Sequence, residues 1–416
     1  MSTGLIVLFL NSKALKHLPI SGSLLDDAPV LLGFVVGAMA LVTICSRMRW
    51  LGGLAEVVVL FAFFTPAVLL SSFNEYGQAK VPAMFCVTGL AAVAAVTVIR
   101  TRARILWLLW WFALVGLAEV TLARLQSAGS GGVRLALDES NTIHLGRAAG
   151  AAALAILVLV LHLYRRRPRG WVWAVVACGM AVVYLAASTV ASGSRGPLVA
   201  LVATVCLVAL MMPAKFVVRS TRLALTVAVF VGFTLWALSQ APEASANRIT
   251  DLLGGQQDSS TLARTHLYAA TLPIVAMNPF GIGWGDLSEK LPSWAWLDSG
   301  VHQYPHNLFV EVAAEGGWIA AAALIVVVAV AFGRARAQLP RLEGVGITAL
   351  LCFFLLNVSV SGDLVANQAF FVLLGVALAF PAVRRDRSLG RPESSAPTSM
   401  PGTTYAGGGC GGRAPW

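Results

Sequence analysis

The sequence predicts an all-α integral membrane protein of eleven or twelve transmembrane helices with one long outer loop, and three observations carry that prediction. Of the 416 residues, 58% are hydrophobic and 12% charged, and the mean hydropathy of +0.78 is too high for a soluble globular domain. Apolar segments close to the roughly 20 residues needed to cross a bilayer core recur along the chain. Arginines gather in every second connection between those segments.

Taken in order, the segments fall at 28–46, 52–72, 81–99, 104–122, 143–163, 171–191, 195–212, 222–240, 308–332, 344–360 and 364–382. The basic connections hold Arg47 and Arg49, then Arg100, Arg102 and Arg104, then Arg165, Arg166, Arg167 and Arg169. Lys215, Arg219 and Arg222 follow, then Arg334, Arg336 and Arg341, and finally Arg384, Arg385 and Arg387. Positive residues mark the cytoplasmic side, so the 123–142 loop, the 192–194 turn, the loop at 241–305 and the 361–363 turn are expected outside. Residues 1–383 read as one polytopic membrane domain in the cytoplasmic membrane. Residues 384–416, rich in Gly, Ser, Pro and Thr, read as a disordered cytoplasmic tail. Gly4 to Leu10 is apolar but too short to span, and Lys13, Lys16 and His17 follow it. If it is a helix, the count becomes twelve and the N-terminus moves inside.

The net charge of +11 is accounted for by these short basic loops against an anionic leaflet, and argues against a nucleic-acid partner. Cys45, Cys86, Cys178, Cys206 and Cys352 lie in apolar segments and Cys410 in the tail, without CxxC spacing, so no metal site and no disulfide is expected. No repeat of 20 to 50 residues is visible, which counts against a two-repeat transporter.

Function is expected where the chain stays longest outside the bilayer. Four polar features lie there or at the neighbouring helix ends. Ser192-Gly193-Ser194-Arg195-Gly196-Pro197 is a tight turn into a helix, with Pro197 suited to the first turn. Arg195 thus stands at a helix N-terminus, where the dipole disfavours a cation. It reads either as an arginine snorkelling to headgroups or as the partner of a bound anion. Leu262-Ala263-Arg264-Thr265-His266-Leu267-Tyr268 begins a short amphipathic helix near the membrane surface. Arg264 there is a lipid anchor or a ligand contact. Asn278 to Gly285 forms an irregular Pro- and Gly-rich loop, and Trp284, Trp294 and Trp296 fit an interfacial aromatic belt.

Pro305-His306-Asn307 opens the next apolar segment. Pro305 places His306 in a first helical turn, where the neutral imidazole is favoured and can accept a proton. His302 ranks behind it. Glu311 and Glu315, four apart, share one helix face, and Asp363 sits in the Ser361-Gly362-Asp363 turn. Carboxylates at such depth pair or line a cavity, and Arg195 or Arg264 are the expected partners. Glu56 and Glu119 are isolated intramembrane acids.

Ser194-Arg195-Gly196 before a helix, Arg264, Asn278-Pro279-Phe280-Gly281-Ile282-Gly283, and Pro305-His306-Asn307 with Glu315-Gly316-Gly317 together resemble the O-antigen ligase and O-antigen polymerase family. Ser361-Gly362-Asp363 followed by Asn367 is similar to the family's next outer turn, so the resemblance covers roughly residues 180–380. It implies a membrane glycosyltransferase of the GT-C type. Such an enzyme passes a glycan from an undecaprenyl pyrophosphate donor to an acceptor hydroxyl, on a lipid core or another lipid-linked repeat, at the outer face. It implies no metal and no cofactor. Arg195 and Arg264 inherit the pyrophosphate, His306 the acceptor hydroxyl, and Glu315, Asp363 and Asn307 supporting places around them. A secondary transporter or flippase for a lipid or sugar is the alternative, with Glu56 and Glu119 as coupling acids.

Overall fold

The computed structural model describes residues 2–10, 28–47, 52–127, 135–136, 142–212, 216–239, 245, 247, 259–295 and 303–389. Among these residues the regular structure is all helical, without strands. In the bilayer interior every backbone polar group must be satisfied within its own segment, and apolar runs therefore fold as helices.

Helix α1 is Ser2–Leu10, α2 Ala28–Arg47 and α3 Leu54–Phe64, the last continued by a tighter turn at Pro66–Leu70. Then come α4 (Glu75–Val98), α5 (Arg102–Ser127), α6 (Thr142–Arg166), α7 (Trp171–Ala191), α8 (Arg195–Met211) and α9 (Phe216–Ser239). Helix α10 is Ser259–Met277, α11 Leu308–Glu315, α12 Gly317–Arg336, α13 Leu342–Val358 and α14 Gln368–Leu389. Five of these (α4, α5, α6, α7 and α12) are long and apolar enough to cross a membrane, and six shorter apolar helices accompany them. They match the eleven predicted segments one for one. Helix α1 has nine residues, about 14 Å at 1.5 Å per residue, and packs on α5 and α2 without the length to span. Residues 390–416, most of the predicted tail, lie outside the described residues, while α14 continues through 384–389.

Helix α14 is buried on all sides through Phe370, Phe371, Leu374 and Leu378, and packs on α4, α12 and α13. Small residues bring neighbouring helices close. A Cβ on Gly116 of α5 would stand 2.6 Å from the Ala148 carbonyl oxygen of α6, and one on Gly375 of α14 2.6 Å from that of Ala92 in α4. Phe34, Trp107, Trp173, Val229 and Val326 face outward, as lipid-facing residues do.

The two ends of the bundle differ in chemistry. At one, Arg334 pairs with Glu56 and donates to the Leu378 carbonyl, Arg102 meets Glu343 at 3.4 Å, and Arg100 donates to the Val96 carbonyl. Connections assigned to one side by their arginines thus meet one another. The other end gathers residues 71–80, 142–147, 192–197, 278–286, 303–315 and 361–367, and it holds the candidate site.

Two predicted segments are built differently. The segment expected at 81–99 begins at Glu75, where the Asn74 side chain caps the helix by accepting from the Gly77 amide at 2.7 Å. Pro82 lacks a backbone donor, and wider π-type turns follow over Ala83–Gly89. The segment expected as one helix at 308–332 breaks at Gly316 and Gly317. Gly317 adopts φ +85, and its Cα lies so close to the 279–281 loop that a Cβ would stand 2.5 Å from the Phe280 carbonyl carbon.

Candidate active site

The irregular loop at 278–286 is moulded onto the bundle by its backbone. Gly281, Gly283 and Gly285 all take positive φ, and the amides of Ile282 and Gly283 donate to the Ala314 and Glu315 carbonyls at 3.0 and 3.1 Å. Asp286 accepts from the Ser72 amide at 2.9 Å and from the Ser72 hydroxyl at 2.7 Å. Trp284 is fully buried: its indole donates to the Phe64 carbonyl at 2.8 Å and its ring packs on that of Phe64 at 5.2 Å. The belt role expected for Trp284 is therefore overturned, because a buried carbonyl at the end of α3 supplies the indole N–H with its partner. Trp294 is exposed, with His266 against its ring at 6.2 Å, and Trp296 lies outside the described residues.

Helix α10 buries Leu267, Ala270 and Ile274 against Leu287, Leu291 and Ala314, and leaves Leu262, Leu272 and Met277 exposed. Apolar residues thus lie on both the buried and the exposed side of the helix, which differs from the expectation that Leu262, Leu267, Leu272 and Ile274 form one apolar side against a polar face at 264–265. Arg264 lies near its start, half-buried.

Beneath the loop, Tyr76 and Lys80 share a face of α4. Lys80 Nζ donates to Glu311 Oε1 and to Glu315 Oε2 at 2.6 Å, and all three side chains are buried. The carboxylates expected to pair with Arg195 or Arg264 are therefore held by Lys80, a residue 231 and 235 positions away in sequence. Glu311 also accepts the Leu364 amide at 3.0 Å, and the Tyr76 hydroxyl donates to Asp363. The 361–367 turn is pinned from its other side by Arg147 of α6, which donates to the Ser361 carbonyl at 2.7 Å and to Asn367 Oδ1 at 3.0 Å. Gly362 takes φ +77 with the Arg147 guanidinium directly below it.

Asn307 caps α11, its side chain accepting from the Phe309 and Val310 amides at 2.9 and 3.2 Å. His306 therefore precedes the helix, and the expected first-turn position is corrected: Asn307 takes the cap, for which its short side chain is suited. His306 adopts φ +55, an uncommon conformation for a residue with a side chain, and its ring lies 4.4 Å from that of Tyr304. Its Nδ1 is buried and has no hydrogen-bond partner among the described residues. Burial first, then the Arg264 guanidinium and, more weakly, Arg147 hold its pKa down at about 4, against the opposing pull of Asp363. Burial pushes the Tyr304 hydroxyl up, aided by Asp363 and Glu311. His306, Arg264, Asp363, Arg147 and Tyr304 thus share one electrostatic neighbourhood. His302 lies outside the described residues.

Arg195 is the first residue of α8 and half-buried. Its turn packs on α6 and α13: the Ser194 hydroxyl donates to Thr142 Oγ1 at 3.2 Å, and Cβ atoms on Gly146 and Gly196 would meet Pro197 and Val360. Gly146 and Val360 are the chain neighbours of Arg147 and Ser361, which puts the Arg195 turn at the border of the group around Asp363. Glu56 is engaged by Arg334 at the opposite end, and Glu119 is buried with His144 Nδ1 3.9 Å away.

Sequence reading missed Tyr76, Lys80 and Arg147. The signal for Arg147 was a charge inside a segment otherwise able to span, but Tyr76 and Lys80 read as part of an outer connection. Residues 180–325 match the family model described as O-antigen ligase, a span that includes Arg195, Arg264, His306, Asn307 and Glu315 and stops before Asp363. No curated protein matches the chain. Over residues 180–325 the chain is thus similar to the O-antigen ligase family, and its apolar helices make it a multi-pass membrane protein.

Proposed function

We propose that the protein transfers a glycan from an undecaprenyl pyrophosphate donor to an acceptor hydroxyl, on a lipid core or another lipid-linked repeat, at the outer face of the cytoplasmic membrane in cell-surface polysaccharide biosynthesis. The observation that carries this reading is His306, a half-buried imidazole kept neutral by burial and by the charge of Arg264, placed directly before α11 within the family-matched span.

Arg195 and Arg264 hold the donor pyrophosphate. The acceptor oxygen attacks the anomeric carbon from the face opposite the pyrophosphate, a new C–O bond forms, the bond to pyrophosphate breaks, and the anomeric configuration inverts. Charge that builds on the leaving pyrophosphate is stabilised by the two guanidiniums. His306, oriented by its ring contact with Tyr304, accepts or positions the hydroxyl proton. A base with a pKa of about 4 is weak. Burial is the larger cause of that depression, and bound pyrophosphate would offset the part due to Arg264, so donor binding raises the basicity of His306 when the acceptor arrives. Glu315 and Asn307 hold the helix that follows His306, and the charge of Asp363 acts on the ring.

The test is transfer from a purified polyprenyl-pyrophosphate-linked glycan by detergent-solubilised protein with chelator present. Native protein, Arg264→Ala and His306→Ala are compared, with folding checked by gel filtration and thermal unfolding. Transfer by the native protein that both well-folded variants lose is the expected result. A folded native protein that transfers to neither a lipid-linked repeat nor a lipid-core acceptor would sink the reading.

A further inference from the structure

Helix α10 is apolar on two sides, and the bundle covers one of them. Leu267, Ala270 and Ile274 pack against Leu287, Leu291 and Ala314. Between Leu262 and Met277 the exposed side runs through Leu262, Ala269, Leu272, Ala276 and Met277; it carries no charged residue, and Thr265 is its only polar one. Met277 is 72% exposed, and Phe280, just past the helix end, is 75% exposed. A helix face that meets water is ordinarily polar, and a helix apolar all round is buried in protein or in a membrane. Yet α10 lacks the composition of a span: Arg264 and His266 interrupt its 19 residues, and it is not among the helices long and apolar enough to cross.

The neighbour at the Phe280 end is α12. The Trp318 indole donates to the Val275 carbonyl at 2.8 Å, and the Trp318 amide donates to the Pro279 carbonyl at 2.9 Å. From Trp318 an exposed stripe follows α12 through Ile319, Ile325 and Val326, and it holds no charge as far as Ala329. The uncovered side of α10 thus continues the side that α12 turns to lipid. Depth agrees. At about 1.5 Å per residue, Trp318 stands roughly 24 Å along α12 from Arg334, which belongs to the arginine-rich end of the bundle. Trp318, and the end of α10 bonded to it, therefore lie no farther out than the opposite boundary of a bilayer core about 30 Å thick.

We propose that the exposed side of α10 from Leu272 to Met277, together with Phe280, inserts among the acyl chains of phospholipids in the leaflet opposite the arginine-rich loops. Lipid is the occupant, in place of a second protein chain, for two reasons. The exposed residues of the patch offer no charge and no hydrogen-bonding side chain to specify a protein partner, and the patch is continuous with the lipid-facing stripe of α12. The helix that carries Arg264 is thus anchored in the membrane at its far end, although it belongs to the 241–305 segment expected outside the bilayer. The contact does not depend on glycan transfer.

The experiment places the full chain in phosphatidylcholine vesicles that contain a phospholipid with a diazirine in the middle of one acyl chain. After irradiation, adducts are located by peptide mass spectrometry. In parallel vesicles, oxidation of Met277 to the sulfoxide by hydroxyl radicals generated in the water is followed. Adducts on Ile325 and Val326 verify insertion of the chain. The expected result is adducts on Leu272–Phe280 at a yield comparable with those, and Met277 oxidation that rises several-fold once the chain is unfolded in guanidinium. Absence of adducts from Leu272–Phe280 would overturn the proposal. With Met277 oxidised, the patch then faces water; with Met277 protected, protein covers it, and a dimer in native mass spectrometry would identify a second copy. Adducts accompanied by ready oxidation of Met277 would overturn it as well, because they would set the patch among headgroups.

Discussion

Replacing Lys80 by Met removes the cation that holds Glu311 and Glu315 and keeps most of the side-chain volume. All three groups are buried, so water cannot take over the lysine's role. The cheapest escape for the stranded carboxylates is to take up a proton. From an ordinary carboxyl pKa of about 4.3, that costs about 3.7 kcal/mol at pH 7, at about 1.4 kcal/mol per pH unit. The figure falls inside the roughly 3–5 kcal/mol expected when one member of a buried ion pair is removed. Damage should also reach the proposed site, because Glu311 accepts the Leu364 amide and so helps to hold the turn carrying Asp363. The assay is reversible unfolding in mixed micelles alongside glycan transfer, for Lys80→Met and for Lys80→Met combined with Glu311→Gln and Glu315→Gln. The single variant should lose about 3–5 kcal/mol and its transfer activity. The triple variant, with no charge left to strand, should recover most of the stability. A single variant within about 1 kcal/mol of native, below the expected range, would refute the reasoning. So would a triple variant no more stable than the single, which would place the loss in packing.

Three further outcomes are expected. Since burial and Arg264 lower the pKa of His306 from 6.5 to about 4, the imidazole is neutral across neutral pH. The acid limb of kcat/KM for the donor, which reports the protein before donor binds, should therefore fall only as pH approaches 4, and a limb centred near 6.5 would contradict the described environment. By the same sign, the native state gains stability from this group above the unfolded pKa and loses it as pH falls from 6.5 toward 4. Asn307→Ala should cost about 0.5–2 kcal/mol through loss of the α11 cap and should depress transfer by releasing His306, with Asn307→Asp restoring both. Gly281→Ala should prevent native packing of the 278–286 loop, since its Cβ would stand 2.3 Å from the Glu315 carbonyl oxygen at φ +83; wild-type protease resistance of that loop would refute this.

What the sequence by itself determined is what the bilayer dictates locally. Apolar length specifies helices because their backbone bonds close within each segment, and the alternating arginines specify which connections share an end, as the Arg102 contact with Glu343 bears out. Local stereochemistry was equally legible at Arg195, which opens α8, and in the glycines of the 278–286 loop. The tertiary structure alone decided which charges meet. Lys80 and Tyr76 lie in a stretch that reads as a connection and becomes helix only where Asn74 caps it, so their contacts with Glu311, Glu315 and Asp363 leave no local trace. Trp284 carries the composition of an interfacial residue yet is buried, because the end of α3 offers it a carbonyl. Burial and long-range pairing are properties of the packed bundle, and they set the charge state of His306, on which the proposed chemistry depends.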